Sequence, residues 1–232
     1  MDDTAPPPFS RFLRELPLTV PVVLAPLRRA HPVAGAREGA GQPVLVIPGI
    51  LSSDSTTALL RRTLDASGYR AYASHMGFLT GIQPETLARA LDRLAGVAGA
   101  EQRKVALVGW SLGGLYARVL AQRYPELVEL VMTLGTPFSG DRRANNAWRL
   151  YEAINDHKVD APPVPDDPAV KPSVPTIALW SRTDGVIAPA AARGLPHERD
   201  AEVEVPYSHF AIASTRLAIA RVVTELGGWL AR

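Results

Sequence analysis

Lys104-Val105-Ala106-Leu107-Val108-Gly109-Trp110-Ser111-Leu112-Gly113-Gly114-Leu115-Tyr116-Ala117-Arg118-Val119-Leu120 decides the fold. The short apolar run from Lys104 to Val108 has the length and composition of a buried strand. From Ser111 to Tyr124, Leu112, Leu115, Val119 and Leu120 recur at helical spacing, and Pro125 stops the helix. Between the two, Gly109-Trp110-Ser111-Leu112-Gly113 is a G-x-S-x-G motif. Five residues of that kind are a weak signal by themselves, and the strand-turn-helix placement carries the weight. Such a turn holds the serine in a strained conformation with its Oγ exposed. Gly109 and Gly113 remove side chains that would collide as the chain doubles back, and Gly114 permits close helix-to-sheet packing.

The same rhythm extends in both directions. Pro43 to Pro48 reads as a buried strand stopped at Pro48-Gly49, and Asp54 or Ser55 can cap a helix carrying Leu59, Leu60 and Leu64 that ends at Gly68. Tyr69 to Ala73 follows as a strand, and a helix opening at Pro84 sets Leu87, Leu91 and Leu94 on one stripe. Further strands are expected at Leu130 to Leu134, Thr176 to Trp180 and Ala201 to Val205, before an amphipathic helix from Ser214 to Leu226. The fold class is therefore α/β: a mostly parallel sheet of about six strands flanked by helices on both faces. Residues 1–42 form a leader packing on the core, and 43–232 form the domain. The stretch 141–175, with a short helix bearing Trp148, Leu150, Tyr151 and Ile154, breaks the rhythm as a small lid or cap.

Composition bounds the function. With 232 residues, 47% hydrophobic content, 21% charged residues and a net charge of +2, the chain is an ordinary globular one, and its dispersed arginines give no basic patch for nucleic acid. The absence of cysteine excludes disulfides and thiolate chemistry. Met1-Asp2-Asp3 does not open a signal peptide, and Leu16 to Leu27 is broken by Pro17, Pro21 and Pro26, so a cytoplasmic location without a membrane span is expected. Phe9, Phe12, Leu13 and Leu16 beside Arg11, Arg14, Arg28 and Arg29 could lie weakly on an anionic lipid surface, a minor reading next to packing on the domain.

A serine attacks well only when an imidazole takes its proton, and the imidazole needs an acceptor that fixes its tautomer. Of five histidines, His31 and His75 precede Ser111, His157 precedes the strand expected to carry the acid, and His197 lies in a polar loop. His209, in Pro206-Tyr207-Ser208-His209-Phe210 after the last strand, fits best as the base. Asp184, just beyond the strand Thr176 to Trp180, is the acid candidate, although Asp184-Gly185 is also a good turn pair. Two backbone N–H donors should hold the oxyanion: that of Leu112, and that of Ile50 with Leu51 as competitor, since Pro48 has no N–H. Ile50, Leu51, Trp110, Phe138, Trp148 and Tyr151 are candidates for contact with substrate.

At these residues, over roughly Pro43 to Leu226, the chain resembles bacterial lipases and esterases of the α/β-hydrolase superfamily, including the branch similar to GPI-inositol deacylases. Beyond the elbow, the resemblance rests on Pro48-Gly49-Ile50-Leu51 with Ser52-Ser53-Asp54-Ser55, on Leu134-Gly135-Thr136-Pro137, and on the settings of Asp184 and His209. It implies an ester hydrolase working through an acyl-enzyme, with no cofactor or metal, on a small-molecule or lipid ester held in an apolar cleft. This chain departs from many relatives in having Pro48 where they carry histidine, and Phe138 where they often carry histidine after Gly-Thr-Pro. Acyl transfer or amide cleavage on the same groups, and a catalytically silent binding module, are the alternatives. Oligomeric state is not legible.

Overall fold

The computed structural model describes residues 3–33 and 39–232, so parts of the expected leader, 1–2 and 34–38, lie outside the described residues. In chain order the elements are α1 (Phe9–Glu15), α2 (Thr19–Val23), β1 (Pro43–Ile47), α3 (Ala58–Ala66), β2 (Arg70–Ala73), α4 (Pro84–Glu101) and β3 (Val105–Trp110). They continue with α5 (Leu112–Arg123), β4 (Val128–Leu134), α6 (Trp148–Ile154), β5 (Thr176–Trp180), α7 (Pro189–Arg193), β6 (Ala201–Glu204), α8 (His209–Ser214) and α9 (Arg216–Leu230).

The six strands form one sheet in the order β2-β1-β3-β4-β5-β6, and every pairing is parallel. Strands buried on both faces need apolar residues at every position, which is why β1, β3 and β5 are apolar runs without alternation. Parity then decides which layer each residue joins. Val44, Val46, Ala106, Val108 and Trp110 pack with Leu60 of α3, Ile212 of α8 and Val222 of α9. Leu45, Ile47, Val105 and Leu107 point the other way, onto Leu94 of α4, Leu120 of α5 and Tyr151 of α6.

The strand order reverses between β1 and β3. The chain leaves β1 toward β2 on one side and returns to β3 on the other, so the loops after β1 and β3 lie side by side at the carboxyl ends of the strands. Ligand crevices of open parallel sheets open at such a switch point, and Ser111 begins the loop after β3.

Two expectations need correcting. A short helix, α8, precedes the expected last one: it starts at His209, which was expected in a loop, and the chain is extended at Thr215 (φ −93°, ψ 146°) before α9 runs from Arg216 to Leu230. Strand β4 starts at Val128, two residues before the expected Leu130, because Glu129 is exposed in an otherwise buried strand and interrupts the apolar run. The described leader contributes no strand and instead forms α1, α2 and single 3₁₀ turns where Pro17 and Pro26 occupy first-turn positions. Among the described residues no helix is long and apolar enough to cross a membrane.

Candidate active site

Ser111 joins β3 to α5 at φ +53° and ψ −121°, a conformation that costs a residue with a Cβ on the order of 1–3 kcal/mol. The surrounding structure enforces it. A Cβ on Gly109 would strike the Gly114 backbone, one on Gly113 would strike the carbonyl of Ile47, and one on Gly114 would strike Thr136. The elbow is thus wedged between the ends of β1 and β4, and Ser111 N–H donates to Leu134 O at 2.9 Å.

Asp184 lies beyond β5 in a tight turn. Its Oδ1 accepts the N–H groups of Val186 and Ile187, both at 2.8 Å, and its Oδ2 meets His209 Nδ1 at 2.8 Å. The turn reading and the pairing reading of Asp184 therefore describe one carboxylate, with one oxygen serving each. Both partners are buried, at 1% and 3% exposure. Burial disfavours the imidazolium, but Asp184, through its charge and hydrogen bond, and then Glu15 outweigh that, so the His209 pKa is raised above its ordinary value of about 6.5.

The imidazole sits over the ends of β3 and β4. Trp110 packs against its ring, with centroids 5.8 Å apart, and donates its indole N–H to His209 O at 3.2 Å. Gly135, at φ +55°, passes beneath the pair: a Cβ there would lie 3.1 Å from both Asp184 Oδ2 and His209 Nδ1. With Nδ1 turned to Asp184, Nε2 is the ring nitrogen left to exchange a proton with a hydroxyl. No hydrogen bond joins Ser111 Oγ to the ring in this structure; such bonds commonly tighten only when substrate is bound.

Gly49 runs close to the serine, and a Cβ on it would lie 3.3 Å from Ser111 Cβ. The N–H of Leu51 is already committed to Leu79 O at 2.6 Å, which removes it as an oxyanion donor. Among the described residues the N–H groups of Ile50 and Leu112 have no such partner, and both residues line the cavity in front of Ser111.

That cavity, of about 350 Å³, follows α5 from Ser111 past Leu112 and Leu115 to Val119, with Phe138, Trp148 and Tyr151 among its walls. Leu51 and Trp110, expected against substrate, are not in it. Leu51 is 42% exposed with its backbone at φ +53°, and Trp110 has the strand parity of Ala106 and Val108, which turns it into the layer opposite α5. The far wall is the insert. Tyr151 hydroxyl accepts Ile82 N–H at 3.1 Å and pairs with His157 Nε2 at 2.7 Å, while Asn155 bonds Thr80 O and Gln83.

Two residues that sequence reasoning passed over hold these parts together. Arg118 of α5 is fully buried, stacks 4.0 Å from the Phe138 ring centre, and donates to the carbonyls of Pro168, Ala169, Val170 and Glu198. Burial lowers its pKa to about 10. A cation within the apolar run Tyr116-Ala117-Arg118-Val119-Leu120 was the available signal. Glu15, at the end of α1, is buried at 1% exposure behind His209, and as one of four carboxylates in residues 1–42, with Asp2, Asp3 and Glu38, it carried no local signal.

Comparison with known proteins bears on the fold. The structure is similar to that of a membrane phospholipase A described as a bacterial virulence factor, at 16% identity and TM-score 0.60, over 97% of this chain and 93% of that one. It is also similar to a monoacylglycerol lipase of Paleococcus ferrophilus (16% identity, TM-score 0.56, covering 82% and 95%) and to a thermophilic esterase (17%, 0.59, covering 83% and 92%). No curated protein sequence matches significantly. At these identities the likeness is one of fold, and the narrower resemblance to GPI-inositol deacylases is not among what the comparisons support. The family model described as the alpha/beta hydrolase fold matches residues 42–161, more than half of the chain, and with the six-stranded parallel sheet it makes this protein a member of the α/β-hydrolase family.

Proposed function

We propose that the protein is a serine-dependent carboxylic ester hydrolase. The observation that carries the reading is the strained Ser111 at the mouth of an apolar cavity, at the same end of the sheet as the buried Asp184–His209 pair. Ser111 Oγ attacks the ester carbonyl while His209 Nε2 takes its proton, and Asp184 stabilises the imidazolium. The tetrahedral oxyanion is held by the N–H groups of Ile50 and Leu112. The imidazolium returns its proton to the departing alcohol, and the same imidazole then activates water to release the acid from Ser111.

The cavity supports an acyl chain as the group bound. Ser111 to Val119 spans eight residues of helix, or about 12 Å along α5, and Leu112, Leu115 and Val119 present an apolar wall throughout. A chain of medium length fits that run, with Phe138 and Trp148 opposite. Lipid-borne esters are favoured by the leader: Phe9, Leu13, Leu16, Val20, Val23 and Leu27 are all exposed, with Arg14 and Arg29 among them. That surface has the make-up of an anionic-interface contact, and similar structures include lipases acting on such molecules by name.

A panel of esters with increasing acyl length, offered free in solution and in anionic vesicles, tests this. The expected result is turnover that peaks at medium acyl length, is higher on vesicles, and vanishes in a folded Ser111→Ala variant. Ester turnover retained by Ser111→Ala would refute it.

A further inference from the structure

The leader reaches the reaction centre through one carboxylate. Glu15 Oε1 accepts the N–H of Gly185 at 2.9 Å and the N–H of His209 at 2.8 Å, and Oε2 accepts the N–H of Phe210 at 3.1 Å. Gly185 follows the acid candidate, and His209 is the base candidate itself. One buried group, 170 and 194 residues away in sequence, thereby ties the backbones of the two loops together.

The arrangement fills a local need. The first N–H groups of a helix have no partner within it, and α8 begins at His209 with Ser208 in the capping position. Ser208 makes no capping bond, and its Oγ is buried without a partner among the described residues. Glu15 takes the donors that Ser208 leaves. The seat is close-fitting on the acid side too: a Cβ on Gly185 would press on Arg11 O and on Glu15 Cγ, and Arg11 donates to Arg182 O at 2.8 Å. Phe12, on the same helix, packs on the cluster of Trp180, Val186 and Ile187 that supports the acid turn.

We infer that Glu15 is a positioning residue for hydrolysis, holding the His209 and Asp184 loops in register so that the leader, outside the matched family region, completes the active site. The inference rests on the proposed ester hydrolysis for its kinetic consequences only. The charged groups acting on the imidazole are Asp184, from the turn after β5, and Glu15, from α1; both favour its protonated form against the effect of burial. Glu15 therefore sets the position of the ring through its backbone and contributes to its proton affinity. A residue that merely glued the leader to the domain would do neither.

The test uses the full chain and the variants Glu15→Gln and Glu15→Asp. Glutamine keeps the size and one acceptor, but turns an N–H₂ toward a backbone donor; aspartate keeps the charge with a shorter reach. Glu15→Gln should lower kcat about 10- to 100-fold with KM changed by less than about twofold, and Glu15→Asp should recover part of the loss. In both the parent and the variants, the His209 ring is titrated by NMR, which needs no turnover, and the Glu15→Gln ring should titrate below the parent's. An unchanged kcat and an unchanged ring titration, with only a lower Tm, would overturn the inference. If the parent hydrolyses no ester, the hydrolase reading fails on that result, and the ring titration alone decides the role of Glu15.

Discussion

Asp184 divides its two oxygens between architecture and chemistry, and substituting it separates the two. In Asp184→Asn one oxygen can still accept Val186 and Ile187 N–H, but the second atom becomes a donor facing Nδ1, so the imidazole is pushed into the wrong tautomer. We expect kcat to fall on the order of 10³- to 10⁴-fold with the fold retained. The parent's kcat/KM should rise with pH through an apparent pKa above about 6.5, because the base must lose its proton to act, and the residual activity of the variant should have its acid limb at lower pH. Stability gives an independent check of the sign. A raised folded-state pKa stabilises the parent fully below about 6.5, and that contribution is lost as pH rises through the folded pKa. The Tm gap between parent and variant should accordingly be wider at pH 5.5 than at pH 9.

Legibility also differed residue by residue, for physical reasons. Ser111, Asp184 and His209 stand at element ends whose hydrophobic runs and turn residues are local signals, and the structure brings the acid and the base into one pair next to the elbow. Trp110 shares the parity of Ala106 and Val108, a signal already available in the alternating strand, and packs in the layer opposite the cavity. Glu15 was not legible, because nothing local to α1 announces a partner 194 residues away.

At the scale of elements, strand count, parallel pairing and helices on both faces follow from apolar periodicity, since each strand and helix buries its own stripe. The separate helix α8 did not, because its six residues are too short a run to show a helical stripe, whereas α9 starts within two residues of the expected Ser214. The insert is the element with least periodicity. Its place on the cavity rests on Arg118 of α5 and on the bonds of Tyr151 and Asn155 to residues 80–83, and not on a stripe of its own. Arg118→Met fills similar volume but leaves four carbonyls without their donor and Phe138 without its stacked cation. We expect a loss of about 2–4 kcal/mol, seen as a Tm lower by roughly 5–15 °C, together with a higher KM for long-chain esters as the 166–169 wall loosens. An unchanged Tm would show that those carbonyls are satisfied without the guanidinium.

Over the whole molecule, the position of the site follows from topology. The order β2-β1-β3 puts the loop after β1 next to the elbow after β3, parallel pairing puts the loops after β5 and β6 at the same end, and the leader closes the arrangement from behind. Five segments distant in sequence thus meet at one end of the sheet, and on the proposed reading the Ser111 hydroxyl is their centre. Chemical labelling of that hydroxyl is the direct measurement: the folded chain is incubated with an alkyl phosphonate ester reagent and the adduct is located by peptide mass spectrometry. The account predicts one phosphonyl group per chain, on Ser111, and almost none in a folded His209→Ala variant. A folded parent left unlabelled, or labelled at another residue, would contradict it.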